Sequence, residues 1–239
     1  MDKSVLLPTH IAIIMDGNRR WAKKKNLPIS MGHKAGAETL QKVIEACIDI
    51  GVKYLTVYAF STENWKRDPK EVSDLMNLLR EYLVKLEKDN RDRNARICVI
   101  GDITKLDVDL QEKINFIQEK TSNNTGITIN VALNYGGRDE ILNAIKKLSP
   151  DEIKNLTVES FNEKLYTALS PDPDLIIRTA GEQRLSNFLL WQCAYSEFWY
   201  TDVLWPDFSR KTLENAISDF GKRNRKFGGK EKREEVYGC

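Results

Sequence analysis

An α/β domain built on a mainly parallel sheet is the fold class this sequence predicts. Three observations carry that expectation: β-rich runs recur along the chain, stretches of helical period separate most of them, and no internal repeat or domain boundary interrupts the alternation. At 239 residues the chain can hide roughly 70–75% of its unfolded surface, so one core needs no disulfide or metal staple. A single domain over 1–239 is expected, with loose ends at 1–9 and about 228–239.

The first strand is read at 10–15 (HIAIIM) and the second at 54–60 (YLTVYAF), both apolar enough to be buried on two faces. Between them Leu40, Val43, Ile44, Cys47 and Ile48 repeat at helical spacing, and Gly51 supplies a stop. A longer helix is expected over 71–86, where Val72, Leu75, Met76, Leu79, Tyr82, Leu83 and Leu86 form one stripe that Leu78 broadens. A third strand at 96–100 precedes a helix carrying Leu106, Leu110, Ile114 and Ile117. A fourth strand at 127–133 precedes a helix carrying Ile141, Leu142, Ile145 and Leu148, expected to end at Pro150. The polar, proline-punctuated segment 149–170 reads as a surface excursion with one short helix at 158–168. Strands at 174–178 and, more weakly, 198–203 follow, then a helix carrying Leu213, Ala216, Ile217 and Phe220.

Composition excludes several functions. The 37 basic and 35 acidic residues give a net charge of +2, which argues against a dedicated nucleic-acid binder. With 41% hydrophobic and 30% charged residues the chain has a globular composition, and no run is long and apolar enough to cross a bilayer. The start, MDKS, lacks a signal peptide's features, so a cytoplasmic location is expected. Cys47, Cys98, Cys193 and Cys239 include no Cys-x-x-Cys pair, and only His10 and His33 could assist them, which argues against zinc. From Lys222 onward stand seven basic and three acidic residues: a solvated terminus, or a contact for a membrane surface.

Chemistry concentrates where strands end. The first strand runs into Asp16, Gly17, Asn18, Arg19, Arg20 and Trp21, and from 16 to 34 there are six Lys or Arg against one acid. In an open α/β sheet that edge is where ligands bind; a diphosphate suits the charge, with Asp16 as a hard oxygen ligand for Mg²⁺ and arginine forks on phosphate oxygens. Lys23, Lys24 and Lys25 read better as a solvated helix face. The second strand ends in Ser61, Thr62, Glu63, Asn64, Trp65, Lys66 and Arg67, which fits both an ordinary turn with a helix cap and a ligand-edge role. After the fifth strand, Arg178, Arg184 and Ser186 surround a small-residue turn and could meet on one phosphate. Two such clusters suggest two phosphorylated substrates. The glycine-rich loops of P-loop and dinucleotide enzymes and the serine-nucleophile elbow are absent.

These stretches, together with GHKAG at 32–36, NYGGR at 134–138, 178–192 and DVLWPDF at 202–208, resemble cis-prenyltransferases, and within them the bacterial undecaprenyl diphosphate synthases. The matches run in family order over nearly the whole chain. The resemblance implies a parallel sheet with a hydrophobic product tunnel beside the 71–86 helix. It also implies successive addition of isopentenyl diphosphate to farnesyl diphosphate, giving a 55-carbon undecaprenyl diphosphate for a cell-wall carrier lipid. A different product length, or a non-catalytic partner subunit, would be the alternatives. It assigns Mg²⁺ to Asp16, helped by Glu197 across a homodimer interface, and the allylic diphosphate to Gly17, Asn18, Arg19, Arg20, Trp21 and His33. Arg178, Arg184 and Ser186 would hold isopentenyl diphosphate. Ser61, Thr62, Glu63, Asn64, Trp65, Arg67 and Glu71 would organise the reacting ends, with Asn64 positioning or relaying a proton. Transient contact with a membrane surface would accompany product release. The family's usual arginine after the proline before Gly-His is Ile29 here, its Gly-Gly pair is Ala180-Gly181, and Gln183 replaces a histidine that some members associate with metal.

Overall fold

In a computed structural model, residues 6–89 and 94–223 are described. Six strands, β1 (His10–Ile14), β2 (Tyr54–Ser61), β3 (Arg96–Ile100), β4 (Thr128–Tyr135), β5 (Leu175–Arg178) and β6 (Glu197–Tyr200), form one sheet in the order β3-β4-β2-β1-β5-β6, and every pairing is parallel. β1 and β5 are buried along their whole length, so they read as continuous apolar runs.

Alternation along each strand divides the core. Ile11, Ile13, Leu55, Val57, Ile97, Val131 and Ile177 face helices α2 (Ile29–Ile50), α3 (Pro69–Asp89), α4 (Val108–Thr121) and α8 (Arg210–Gly221). Ala12, Ile14, Ala132 and Ile176 face the other way, onto Phe188 and Leu189, and helices α5 (Gly137–Lys146), α6 (Pro150–Lys154) and α7 (Val158–Asn162) lie after β4. Arg80 of α3 reaches Asp109 of α4 at 2.6 Å and Asp107 just before it at 2.5 Å, tying the two helices at their outer edge.

All six anticipated strands form, with β6 beginning one residue earlier and ending at Tyr200. Several helix bounds differ. α5 closes at Lys146, and Pro150 instead opens α6, because Ser149 and Glu152 make a reciprocal capping box. The 158–168 helix is the single turn α7. α2 begins eleven residues before the apolar stripe that announced it. Its first turns carry Gly32 and Gly36, poor helix formers that are needed because a Cβ at Gly32 would lie 2.2 Å from the Asn18 carbonyl oxygen. Helix α1 (Asn18–Lys24) packs directly there. Of the ends expected to be loose, only 6–9 falls among the described residues, where the Thr9 N–H donates to Asp174 at 2.8 Å; 228–239 lies outside them.

Because the strands are parallel, their carboxyl ends share one edge. β1 continues to β2 on one side and β5 to β6 on the other, so the chain diverges between β1 and β5 and leaves a crevice over their ends.

Candidate active site

Asp16 is built into that crevice by its backbone. Its N–H donates to Thr179 Oγ1 at 2.9 Å, while its carbonyl accepts from the same hydroxyl at 2.6 Å and from the Trp205 N–H at 2.9 Å. Gly17 follows with φ +110°, where a side chain would strain the backbone and its Cβ would crowd Leu204 and Ala180 at 3.0–3.1 Å. The Asp16 carboxylate is then left 31% exposed, with Oδ2 accepting from Arg178 Nη2 at 3.1 Å and Oδ1 3.3 Å from Arg20 Nη2. Arg178 is only 4% exposed. Its Nη1 donates to Ser186 Oγ at 2.8 Å and to the Arg184 carbonyl, and its Nε–H has no acceptor among the described residues.

These groups line a cavity of about 820 Å³ together with Gly17, Asn18, Arg19, His33, Ser61, Glu63, Asn64 and Arg67. Four arginines face two carboxylates in it, so its field favours anions. Burial holds the His33 imidazole below its ordinary pKa despite the hydrogen bond to Glu71, so His33 is neutral at neutral pH. Glu71, itself buried, gathers His33 at 3.3 Å, Arg67 at 3.0 Å and Arg19 at 3.7 Å, joining α1, α2 and α3. Partial burial would raise the Glu63 carboxyl, but hydrogen bonds from its own N–H, Asn187, Ser61 and Thr62 outweigh it and hold it below the ordinary value. Asn64 Oδ1 accepts from the Ser61 N–H at 3.1 Å, which leaves the side-chain NH₂ as donor.

Other anticipated residues flank the cavity with their side chains engaged elsewhere. Trp21 Nε1 donates to Asp207 at 2.7 Å, Trp65 Nε1 to Asn134 at 2.7 Å, and Thr62 Oγ1 to Asp139 at 3.2 Å. Arg184 does not converge with Arg178 and Ser186 through its guanidinium, which is exposed and paired with Glu182; it is the backbone carbonyl that Arg178 takes. Glu197 stands opposite Leu175, which stands opposite Ile11, at the amino edge of the sheet, and accepts from Arg223 at 2.6 Å. Within one chain it is therefore some five strand residues, roughly 16 Å, along the sheet and two strands, roughly 10 Å, across it from Asp16.

Sequence reading missed four residues. Thr179 anchors the Asp16 backbone, and Glu182 links Arg20 (3.4 Å) to Arg184. Asn187 donates to Glu63 at 3.0 Å, and Tyr58, whose hydroxyl burial drives far above its ordinary pKa, donates to the Tyr135 carbonyl. Thr179, Glu182 and Asn187 all fall inside the matched stretch 178–192, whereas Tyr58 falls outside every matched stretch.

Beside the polar cavity lies an apolar chamber of about 110 Å³, sharing Met15, Asn18, His33, Ala59 and Leu75 with it and walled by Leu40, Met76, Leu78, Leu79, Leu133 and Trp205. Since a cavity of about 150 Å³ accepts benzene, this is room for about one five-carbon unit. A long tunnel, as the resemblance implies, is not seen among the described residues; the chamber lies between α3 and the ends of β2 and β4.

Among the described residues no three His, Cys, Asp or Glu side chains gather to cage a metal. The partly exposed Asp16 carboxylate in a basic cavity still fits Mg²⁺, which typically takes one or two carboxylates and completes its shell with water and substrate phosphate.

Comparison with known proteins agrees with this geometry. A family model described as "Putative undecaprenyl diphosphate synthase" matches residues 14–228. An isoprenyl transferase of Clostridium acetobutylicum is 56% identical, over 93% of this chain and 90% of that one. Among solved structures, lavandulyl diphosphate synthase from Lavandula x intermedia, in complex with dimethylallyl diphosphate, superposes with a TM-score of 0.89 at 34% identity, covering 95% of this chain and 100% of that one. A probable undecaprenyl diphosphate synthase from Campylobacter jejuni superposes with a TM-score of 0.78 at 35% identity, over 93% and 99%. With its six parallel strands and basic crevice at the β1–β5 divergence, the chain belongs to the undecaprenyl diphosphate synthase family and is a prenyl-transferring enzyme.

Proposed function

We propose that the protein condenses isopentenyl diphosphate repeatedly onto farnesyl diphosphate, in the presence of Mg²⁺, to give a long cis-polyprenyl diphosphate, the 55-carbon undecaprenyl chain that serves as a cell-wall carrier lipid. The observation that carries this reading is the 3.1 Å pair of Asp16 and Arg178, which joins the exits of two strands inside a cavity with four arginines and an apolar chamber behind it.

The allylic diphosphate sits against Asn18, Arg19, Arg20 and the α1 start, and isopentenyl diphosphate against Arg178 and Ser186, with Arg184 closing over the rim. Asp16 would hold Mg²⁺, which when bound would supply positive charge where the leaving diphosphate gains negative charge. Arg20 and Asn18 add fixed donors there. The allylic carbon–oxygen bond breaks, the isopentenyl double bond attacks that carbon, and a proton leaves the new cation to restore a double bond in cis geometry. Asn64 presents its NH₂ to the cavity and its oxygen to Ser61, so it donates to a phosphate; a phosphate oxygen takes the proton. The chamber as it stands holds about one five-carbon unit, so a 55-carbon product requires it to open along α3; burying five carbons contributes about 4 kcal/mol. A homodimer, with Glu197 of the second copy approaching the metal, and cytoplasmic residence at the membrane periphery complete the reading.

Incubating the protein with Mg²⁺, farnesyl diphosphate and labelled isopentenyl diphosphate tests it. Label should enter a butanol-extractable product with cis double bonds by NMR; no extractable label, or trans bonds throughout, would contradict the proposal.

A further inference from the structure

The geometry points to the α1–α2 connection, 23–31, as the surface that docks the enzyme on an anionic lipid bilayer, using Lys23, Lys24 and Lys25 together with Leu27, Ile29 and Met31. Every residue in this run is exposed, including three large apolar side chains at 39% (Leu27), 40% (Ile29) and 44% (Met31). Single exposed apolar residues are ordinary on a soluble protein. Three at alternate positions, reached directly after a lysine triplet, make a short amphipathic surface instead.

Local structure produces the arrangement. Lys23 and Lys24 end α1, where a cation is favoured by the helix dipole. Lys25 lies 4.6 Å over the Trp21 ring, and Asn26, with φ +54°, turns the chain toward Pro28, which precedes the first turn of α2. No acidic residue occurs from 17 to 37, so nothing in the segment repels phosphate headgroups. The charge fits an anionic surface, and the apolar side chains fit the shallow interface beneath it.

Position links the surface to chemistry. The helices that flank the run also carry Asn18 and His33, which line both the polar cavity and the apolar chamber. A bilayer held there would lie beside the helices that line the polar cavity and the apolar chamber, so serving a hydrocarbon product is a purpose that rests on the prenyl-transfer reading although the binding itself does not. It also gives Ile29 a role as an inserted side chain.

The test is co-sedimentation of the full-length protein with extruded vesicles of phosphatidylcholine alone or with one-third phosphatidylglycerol. Binding should be at least tenfold stronger to the anionic vesicles, fall on raising the salt, and persist in millimolar inorganic phosphate. Three charges near such a surface correspond to on the order of 100-fold in partition. Both K23E/K24E/K25E and L27S/I29S/M31S should lose at least tenfold of the vesicle binding, while melting temperature and the rate of one isopentenyl addition in vesicle-free buffer stay near wild type. Equal binding to both vesicle types, no binding to either, displacement by phosphate, or wild-type binding by both variants would overturn the inference. Vesicle binding by a protein that transfers no prenyl group would instead overturn only the reaction assigned above.

Discussion

Asp16 spends one oxygen on Arg178 and the other on Arg20, yet its place in the fold is fixed by its backbone and by Thr179. Asp16→Asn keeps that backbone and the side-chain shape, so the melting temperature should move little while turnover falls at least 100-fold, the usual cost of removing a group aimed at transition-state charge. A parallel loss of stability and rate would make Asp16 a structural cap. Asn64 is separable in the same way. Asn64→Asp retains an oxygen for the Ser61 N–H but removes the donor, so kcat should fall without a new acid limb in the pH profile; unimpaired activity with such a limb would mark position 64 as the proton acceptor. His10 gives a different prediction. Its Nε2 meets Thr56 Oγ1 at 2.7 Å and its Nδ1 the Pro171 carbonyl, and burial pushes its pKa from 6.5 down to about 4. The unfolded chain therefore binds more protons than the folded one between those values, so the contribution of His10 to stability is complete above pH 6.5 and declines as pH falls toward 4. Urea unfolding across that window should show this slope in the wild type and a shallower one in His10→Gln.

Elements explain which parts of the site were legible in the amino-acid order. Asp16, Arg20, Arg178 and Ser186 could be found because each lies at or shortly after the end of β1 or β5, and parallel pairing then brings the two exits together. Glu182 and Tyr58 could not, since their roles come from contacts across 162 and 128 positions, as between Arg20 and Glu182 or Tyr58 and the Ser186 carbonyl. Spacing tells that Arg184 shares a turn with Arg178 but not that Glu182 draws its guanidinium outward. The α2 start was hidden for a related reason: Gly32 and Gly36 serve packing against Asn18 and weaken the helical signal. α3 was legible as a stripe, and its role as a wall follows from Leu75, Met76 and Leu79 lining the chamber. Leu79→Trp should fill that space and shift products toward shorter chains by mass spectrometry, with the first condensation little changed; an unaltered length distribution would mean that the hydrocarbon grows elsewhere.

For the molecule as a whole, parallel pairing follows from the alternating pattern, whereas the strand order and the length of the apolar space do not, the latter depending on how closely α3 lies over β2 and β4. The metal is likewise a property of the loaded site: with Asp16 the accessible carboxylate and no cage of ligands among the described residues, Mg²⁺ should bind weakly by calorimetry until a diphosphate is present. Strong binding to the free protein would require ligands that Asp16 alone does not supply. The central claim is that one cavity holds two diphosphates at once, one on each strand exit. Titration of the Mg²⁺-containing protein with farnesyl thiodiphosphate, a slow-reacting analogue, and with isopentenyl diphosphate measures this directly. One of each should bind per chain, and Arg178→Ala should weaken the second far more than the first; mutual exclusion of the two ligands would contradict the account.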